Sequence, residues 1–225
     1  MGRGFAAFGL PASVWAGVAA LALLVAFPGI DLAVSAWFYR PDDAFPLANL
    51  PLFIAVLKDV PDVIVGATVV TAVIGLAGAL ARRAWFGIRP RAALYLAASL
   101  AIGPGLLVNT LFKDHWGRAR PHQIVEFGGA AHYSRAVLPA DQCARNCSFP
   151  SGHAALGFWL VAVAFVVPAR WRGPVMAGAL AAGALLGAMR IAQGAHFLSD
   201  VVAAAILVVC VNIWLKRLIL PPGHD

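Results

Sequence analysis

The stretch FLSDVVAAAILVVCVNIWL, residues 197–215, decides the fold class. Its one formal charge, Asp200, stands near the start, and Lys216 and Arg217 follow its end. A run of this length and apolarity matches the ~20 residues needed to cross a ~30 Å hydrocarbon core. Working outward, five more blocks qualify, at roughly 11–30, 62–81, 92–112, 149–169 and 173–189. Inside lipid every backbone N–H and C=O must be satisfied within its own segment, so these blocks are expected to be helices. The whole chain agrees. Of its 225 residues 61% are hydrophobic and 12% charged, with a mean hydropathy of +0.82, against ~45–50% apolar and ~25% charged for a soluble domain. That excess does not fit inside one soluble core, which excludes an ordinary cytoplasmic enzyme, a disordered chain and a small disulfide-stapled module.

The expectation is an all-α fold, a polytopic membrane bundle of six transmembrane helices forming a single domain over residues 1–225. The first block resembles a signal peptide in position. It is read as an uncleaved helix, because its removal would leave five spans. Residues Pro51–Val60, with Lys58 and Asp59, are expected to form a short interfacial helix, and Trp37, Phe38 and Tyr39 part of an interfacial aromatic belt. In the short fifth block Gly183 and Gly187 stand four apart, a spacing that allows close helix contact.

A net charge of +7 and a pI near 10 invite a nucleic-acid reading. The bases, however, sit in short clusters between apolar blocks instead of forming a stripe. With a cytoplasmic N-terminus, that side carries Arg3, Arg82, Arg83, Arg89, Arg91, Arg170, Arg172, Lys216 and Arg217 against Asp225 alone, a net +8. The other side carries −1, so the positive-inside rule places both termini in the cytoplasm. Residues 31–61, 113–148 and 190–196 then lie outside, and no nucleic-acid partner is expected. The outer loop 113–148 joins the third and fourth helices, and unstructured loops of such length are usually functional or disordered. It holds His115, His122, His132, Cys143 and Cys147.

Three short motifs fall at the outer ends of the expected helices. Lys113 ends the third, with Arg120-Pro121 shortly after. Pro150-Ser151-Gly152-His153 opens the fourth. Arg190 ends the fifth, and His196 and Asp200 begin the sixth. Lys113, Arg120 and Arg190 supply three cations, two of them guanidinium forks suited to phosphate oxygens. Ser151 and Gly152 stand where free backbone N–H groups and the helix dipole favour an anion. His196 and Asp200, four apart, share one helical face, so the carboxylate can fix the imidazole tautomer and leave the other nitrogen to attack. His153 is a second imidazole, able to protonate a departing alkoxide. Together these describe cleavage of a phosphate ester. No carboxylate cluster or Cys/His set of ligand spacing accompanies them, so neither a metal nor another cofactor is expected.

The strings KDHWGRARP at 113–121, PSGH at 150–153 and RIAQGAHFLSD at 190–200 resemble the three-part signature of the type 2 phosphatidic acid phosphatase superfamily. The resemblance implies that His196 forms a phosphohistidine, that Asp200 orients it and that His153 protonates the leaving group. Lys113, Arg120, Ser151, Gly152 and Arg190 would hold the phosphoryl oxygens. One position departs: the family usually has Ser before the third-motif arginine, and here it is Met189. The stretch WGRARP…FGG…CSFPSGHA is further similar to bacterial lipid A phosphatases, in particular the branch that removes the 4′-phosphate.

The expected partner is thus a phospholipid or lipid-linked phosphate, with lipid A ahead of undecaprenyl pyrophosphate, phosphatidylglycerophosphate and phosphatidic acid. The expected location is the bacterial inner membrane, with the site facing the periplasm. Arg118 is the best loop residue for a second phosphate on a head group. For Cys143 and Cys147 a disulfide comes first, then free thiols, then a zinc site with His115 or His122. Two alternatives stay open: a lipid phosphotransferase, and a lipid-phosphate binding or translocating protein without turnover. Oligomeric state is not legible.

Overall fold

A computed structural model of the protein describes residues 10–83 and 85–221. Over these residues the chain is helical and holds no β-strand. The principal helices are α1 (Ala12–Ala26), α2 (Gly29–Ala36), α3 (Pro51–Leu80), α4 (Pro90–His115), α5 (Gly152–Ala164), α6 (Ala169–Ala192) and α7 (Leu198–Ile219). Helices α3, α4, α6 and α7 are long and apolar enough to cross a membrane, and α1 with α2 forms a fifth candidate as a pair bent by 91°.

Three expectations are modified. The first block is not one straight helix: α1 ends at Ala26, and Pro28, which has no N–H to donate, begins a new direction. The 149–169 block yields α5, which is shorter than a span requires. The stretch Pro51–Val60 is not a separate interfacial helix. It is the start of α3, which begins with Pro51 in the favoured first position and runs on through Pro61.

Helix α4 opens into wider π-type turns over Ala101–Phe112 around Pro104, and the Asn109 side-chain amide donates to the Pro104 carbonyl at 2.9 Å. Such widening recurs at functional sites. Helix α5 packs against α6 and α7. A Cβ on Gly157 would lie 2.6 Å from the Gly183 Cα, and one on Gly183 would lie 2.4 Å from the Phe158 ring, so the α5–α6 approach requires both glycines. Between the helices lies a core that includes Tyr95, Val108, Phe158, Trp159, Val201 and Val208. Two polar side chains in it are paired: Tyr95 donates to the Asn212 carbonyl at 3.1 Å and Trp159 Nε1 to Ser99 Oγ at 2.9 Å. The opposite surface of α3 presents Val63, Val69, Val73, Leu76 and Leu80, each more than half exposed. An apolar row of this kind suits lipid.

The segment between α4 and α5 is packed, not loose. Phe45, Ala119, Ile124, Phe127 and Phe197 form a second core at this end of the bundle. Tyr39 joins it, with ring centroids 5.6 Å from Phe45 and 5.2 Å from Phe127. Of the expected aromatic belt, Trp37 is strongly exposed while Phe38 and Tyr39 turn inward.

Candidate functional site

The last turn of α4, the first turn of α5, the last turn of α6 and the start of α7 meet at one end of the bundle. His196 lies in the turn from α6 to α7. Gly194 makes that turn with φ +64° and its backbone packs against the Phe45 ring, where a Cβ would approach to 2.3 Å. His122 holds the same turn, its ring nitrogen Nδ1 donating to the Gly194 carbonyl at 2.8 Å.

His196 is fully buried, and its Nδ1 lies 2.7 Å from the Ser148 carbonyl. A carbonyl only accepts, so Nδ1 carries the proton and Nε2 keeps its lone pair. Nε2 is buried without a hydrogen-bond partner among the described residues. Burial lowers the His196 pKa from 6.5 to about 3, against the opposing pull of Asp200, so the ring is neutral at ordinary pH. The Asp200 carboxylate stands 3.6 Å from Nδ1, beyond a good hydrogen bond. Tautomer and ring orientation are therefore set first by the Ser148 backbone, with Asp200 contributing its charge. Asp200 in turn accepts from Ser148 Oγ at 2.5 Å, from the Phe197 amide at 2.9 Å and from Arg118 Nη1 at 2.5 Å.

Arg118 does not reach solvent. It is fully buried, with Nε donating to the Ser134 carbonyl at 2.9 Å, Nη1 to Ser199 Oγ at 2.8 Å and Nη2 to Asp31 Oδ2 at 2.8 Å. Its guanidinium carbon lies 4.3 Å from the Phe197 ring centroid. Burial works against the charge, but the attraction of Asp200 and Asp31 outweighs it and raises the Arg118 pKa. The expected contact with a lipid head group is thereby corrected: two carboxylates consume this cation.

The other three cations remain half-buried at the mouth. Lys113 Nζ and Arg120 Nη2 both donate to Asn146 Oδ1, at 3.3 and 3.0 Å, and Arg120 Nη2 also donates to the Asn146 carbonyl at 2.7 Å. Arg190 Nη1 donates to Gln193 Oε1 at 2.8 Å, while its Nε is buried without a partner among the described residues. Lys113 and Arg120 thus share one acceptor, and the charges of all three cations reach His153. Burial also lowers the Arg120 pKa, with Asp200 as the opposing charge.

At the start of α5, Ser151 caps the helix, its Oγ accepting from the Ala154 amide at 3.5 Å, and its own amide donates to the Asp200 carbonyl at 3.2 Å. Gly152 lets α4 approach: a Cβ there would lie 2.6 Å from Asn109 Oδ1 and 3.3 Å from Lys113 Nζ. His153 Nε2 donates to the Leu57 carbonyl of α3 at 2.9 Å, so Nδ1 is the nitrogen left for proton transfer. Met189, the departure from the signature, is buried against Leu57 and Leu186. It supports the residue whose carbonyl holds His153.

Cys143 and Cys147 are joined by a disulfide, with Cα atoms 5.7 Å apart. The small loop they close is pinned to α4, because the Cys147 amide donates to the Lys113 carbonyl at 2.9 Å and the Asn146 amide to Asp114 Oδ1 at 3.1 Å. Asn146 is thus presented to Lys113 and Arg120. Sequence reading missed Asn146, Ser148, Asp31 and Tyr133. Only the adjacency of Ser148 to the second motif hinted at any of them.

Residues 92–221 match the PAP2 superfamily. Curated relatives carry the name lipid A 4′-phosphatase. One from Francisella tularensis subsp. novicida (strain U112) is 45% identical over 125 residues, 55% of this chain and 56% of the relative. One from Rhizobium leguminosarum is 50% identical over 104 residues, 46% of this chain and 45% of the relative. A third, from Rhizobium etli, is 36% identical over 203 residues, covering 83% of this chain and 78% of the relative. The chain therefore spans about half the length of the first two relatives and most of the third.

Proposed function

Because the chain belongs to the PAP2 superfamily, we propose that it is an integral membrane phosphatase that removes a phosphate monoester from lipid A. The observation that carries this is His196 Nε2: deprotonated, buried, without a hydrogen-bond partner among the described residues, and within the field of Lys113 and Arg190. Nε2 attacks phosphorus, the bond from phosphorus to the lipid oxygen breaks, and His153, entering the step as the imidazolium with its Nε2–H on the Leu57 carbonyl, gives that oxygen the proton of Nδ1. A phosphohistidine results, as covalent catalysis of this kind divides one hard step into two. Water then attacks phosphorus, His153 takes up its proton, and inorganic phosphate leaves His196. Lys113, Arg120 and Arg190 hold the phosphoryl oxygens together with the Ser151–Gly152 helix start, so that side chains meet the charge and no metal is needed. Asp200 faces the positive charge that grows on His196.

The substrate choice rests on the shared name of the three relatives, and the chemistry extends to the other lipid phosphates. Helix α5 completes six membrane crossings in this reading. It begins beside Lys113, whereas α6 ends at the same site with Arg190, and its 24 residues at ~1.5 Å each place its start ~36 Å away. In this reading α5 and Phe165–Pro168 together join the two faces. The basic ends of α3, α4, α6 and α7 then gather opposite the site, which supports an inner-membrane protein with cytoplasmic termini and a periplasmic site. Residues 1–9 and 222–225, on which both termini fall, lie outside the described residues.

The test is phosphate release by detergent-purified protein with EDTA present. Lipid A, undecaprenyl pyrophosphate, phosphatidylglycerophosphate and phosphatidic acid are compared, beside His196→Ala. Release fastest from lipid A and abolished in the variant is expected. No release from any lipid, or release unchanged by His196→Ala, defeats the proposal.

A further inference from the structure

Asp31 has no part in the chemistry above and lies outside the matched residues 92–221. It is nevertheless fully buried against the site. The 91° bend between α1 and α2 carries it there, onto the start of α7. Its Oδ1 accepts from the Ser199 amide at 2.9 Å. Its Oδ2 accepts from Arg118 Nη2 at 2.8 Å, from Tyr133 at 3.3 Å and from the Ser199 hydroxyl. Arg118 spans the gap to Asp200, donating to Oδ1 at 2.5 Å. The buried chain Asp31–Arg118–Asp200 thus holds two carboxylates on one guanidinium.

A buried ion pair is costly to desolvate and is often matched in stability by apolar residues. Stability alone does not explain why a second carboxylate is present. Charge balance does. Asp31, Arg118 and Asp200 sum to −1, while resting His196 is neutral. When Nε2 bonds phosphorus the imidazole gains positive charge, and a net negative cluster behind it is stabilising. Without Asp31, Arg118 would cancel Asp200, and the histidine would face a cluster of zero net charge.

We propose that Asp31 is a positioning residue of the site: it neutralises Arg118, so that the charge of Asp200 stays available to His196 as it takes up the phosphoryl group. This rests on the phosphatase reading. It acts through Arg118 and Asp200, and touches no reacting atom.

The test compares wild type, Asp31→Asn, the double variant Asp31→Asn/Arg118→Gln and His196→Ala. For each, kcat and KM for phosphate release from lipid A and thermal unfolding in detergent are measured. Asp31→Asn keeps the shape and removes the charge, and is expected to lower kcat about 10- to 100-fold with KM within about threefold. The double variant restores −1 and is expected to regain at least about threefold in kcat over Asp31→Asn, an outcome that scaffolding alone does not produce. Folded Asp31→Asn with wild-type kcat, or a folded double variant slower than the single one, overturns the inference. If Asp31→Asn does not fold, the double variant carries the test: turnover within about thirtyfold of wild type supports the charge role, whereas lower turnover, or failure of both to fold, assigns Asp31 to scaffolding. The two readings separate at the controls. If wild type releases no phosphate, or His196→Ala equals it, the phosphatase reading falls and takes this inference with it. With those controls intact, Asp31 is judged alone.

Discussion

Arg118 and Arg120 stand two residues apart on one loop and have opposite surroundings. Arg118 is fully buried between Asp31 and Asp200, and those charges raise its pKa. Arg120 is half-buried, has no carboxylate in contact among the described residues, donates to Asn146, and has its pKa lowered by burial. The lesson is one of electrostatic supply. A guanidinium already matched by two carboxylates has no charge to spare for a phosphate. One held by a neutral amide and carbonyl keeps its charge for an anion. In the proposed reaction the buried region serves as a counter-ion store behind the histidine, and the mouth as a phosphate cradle in front of it.

The sharpest way to break this contrast is to remove the buried cation. Arg118→Met strands Asp31 and Asp200, and breaking a buried pair costs about 3–5 kcal/mol. Loss of folded protein, or a large fall in unfolding temperature in detergent, is expected. A stable variant with weakened substrate affinity would return Arg118 to the head group. Arg120→Ala should do the reverse: unfolding temperature close to wild type, and phosphate release lower by about 10²- to 10³-fold, as when one electrostatic transition-state contact is lost. Equal losses of stability in the two variants would erase the distinction.

Acid sharpens it further. The folded His196 pKa of about 3 lies below its ordinary 6.5, so between those values the unfolded chain binds the extra proton. Stability from this group is complete above about pH 6.5 and declines as pH falls toward 3. Unfolding temperatures measured across that window should fall, and His196→Gln should remove part of the slope. A slope unaltered by His196→Gln would mean that the ring is not held neutral by burial. The smallest effect is expected at the mouth, for Asn146→Ala. KM should rise a few-fold while kcat and stability stay near wild type, because the cations lose a positioning partner and keep their charge. A collapse of kcat there would make Asn146 more than a spacer.

Much of this was legible without the fold. Five of the six apolar blocks correspond to helices or a bent helix pair passing the length and hydropathy test, since hydropathy is a local property. The three motifs named Lys113, Arg120, Ser151, Gly152, His153, Arg190, His196 and Asp200, and the helices bring these to one end of the bundle. The Cys143–Cys147 pairing was legible too, because four residues of separation lie within reach of one turn. Met189 was legible only as a missing hydroxyl; its packing on Leu57 was not.

The sequence by itself determined the apolar helical class, the family and the candidate reactive groups, because apolar run length, motif order and residue chemistry are all written along the chain. Only the tertiary structure decided which of two neighbouring arginines is consumed by carboxylates and which is left at the mouth, which carbonyl sets the His196 tautomer, and that Asp31 lies buried against Arg118 and Ser199. Asp31 and Arg118 are 87 residues apart, and Ser148 and His196 are 48 apart. Burial and charge pairing depend on the neighbours a side chain meets in space, and those neighbours arrive from separate helices.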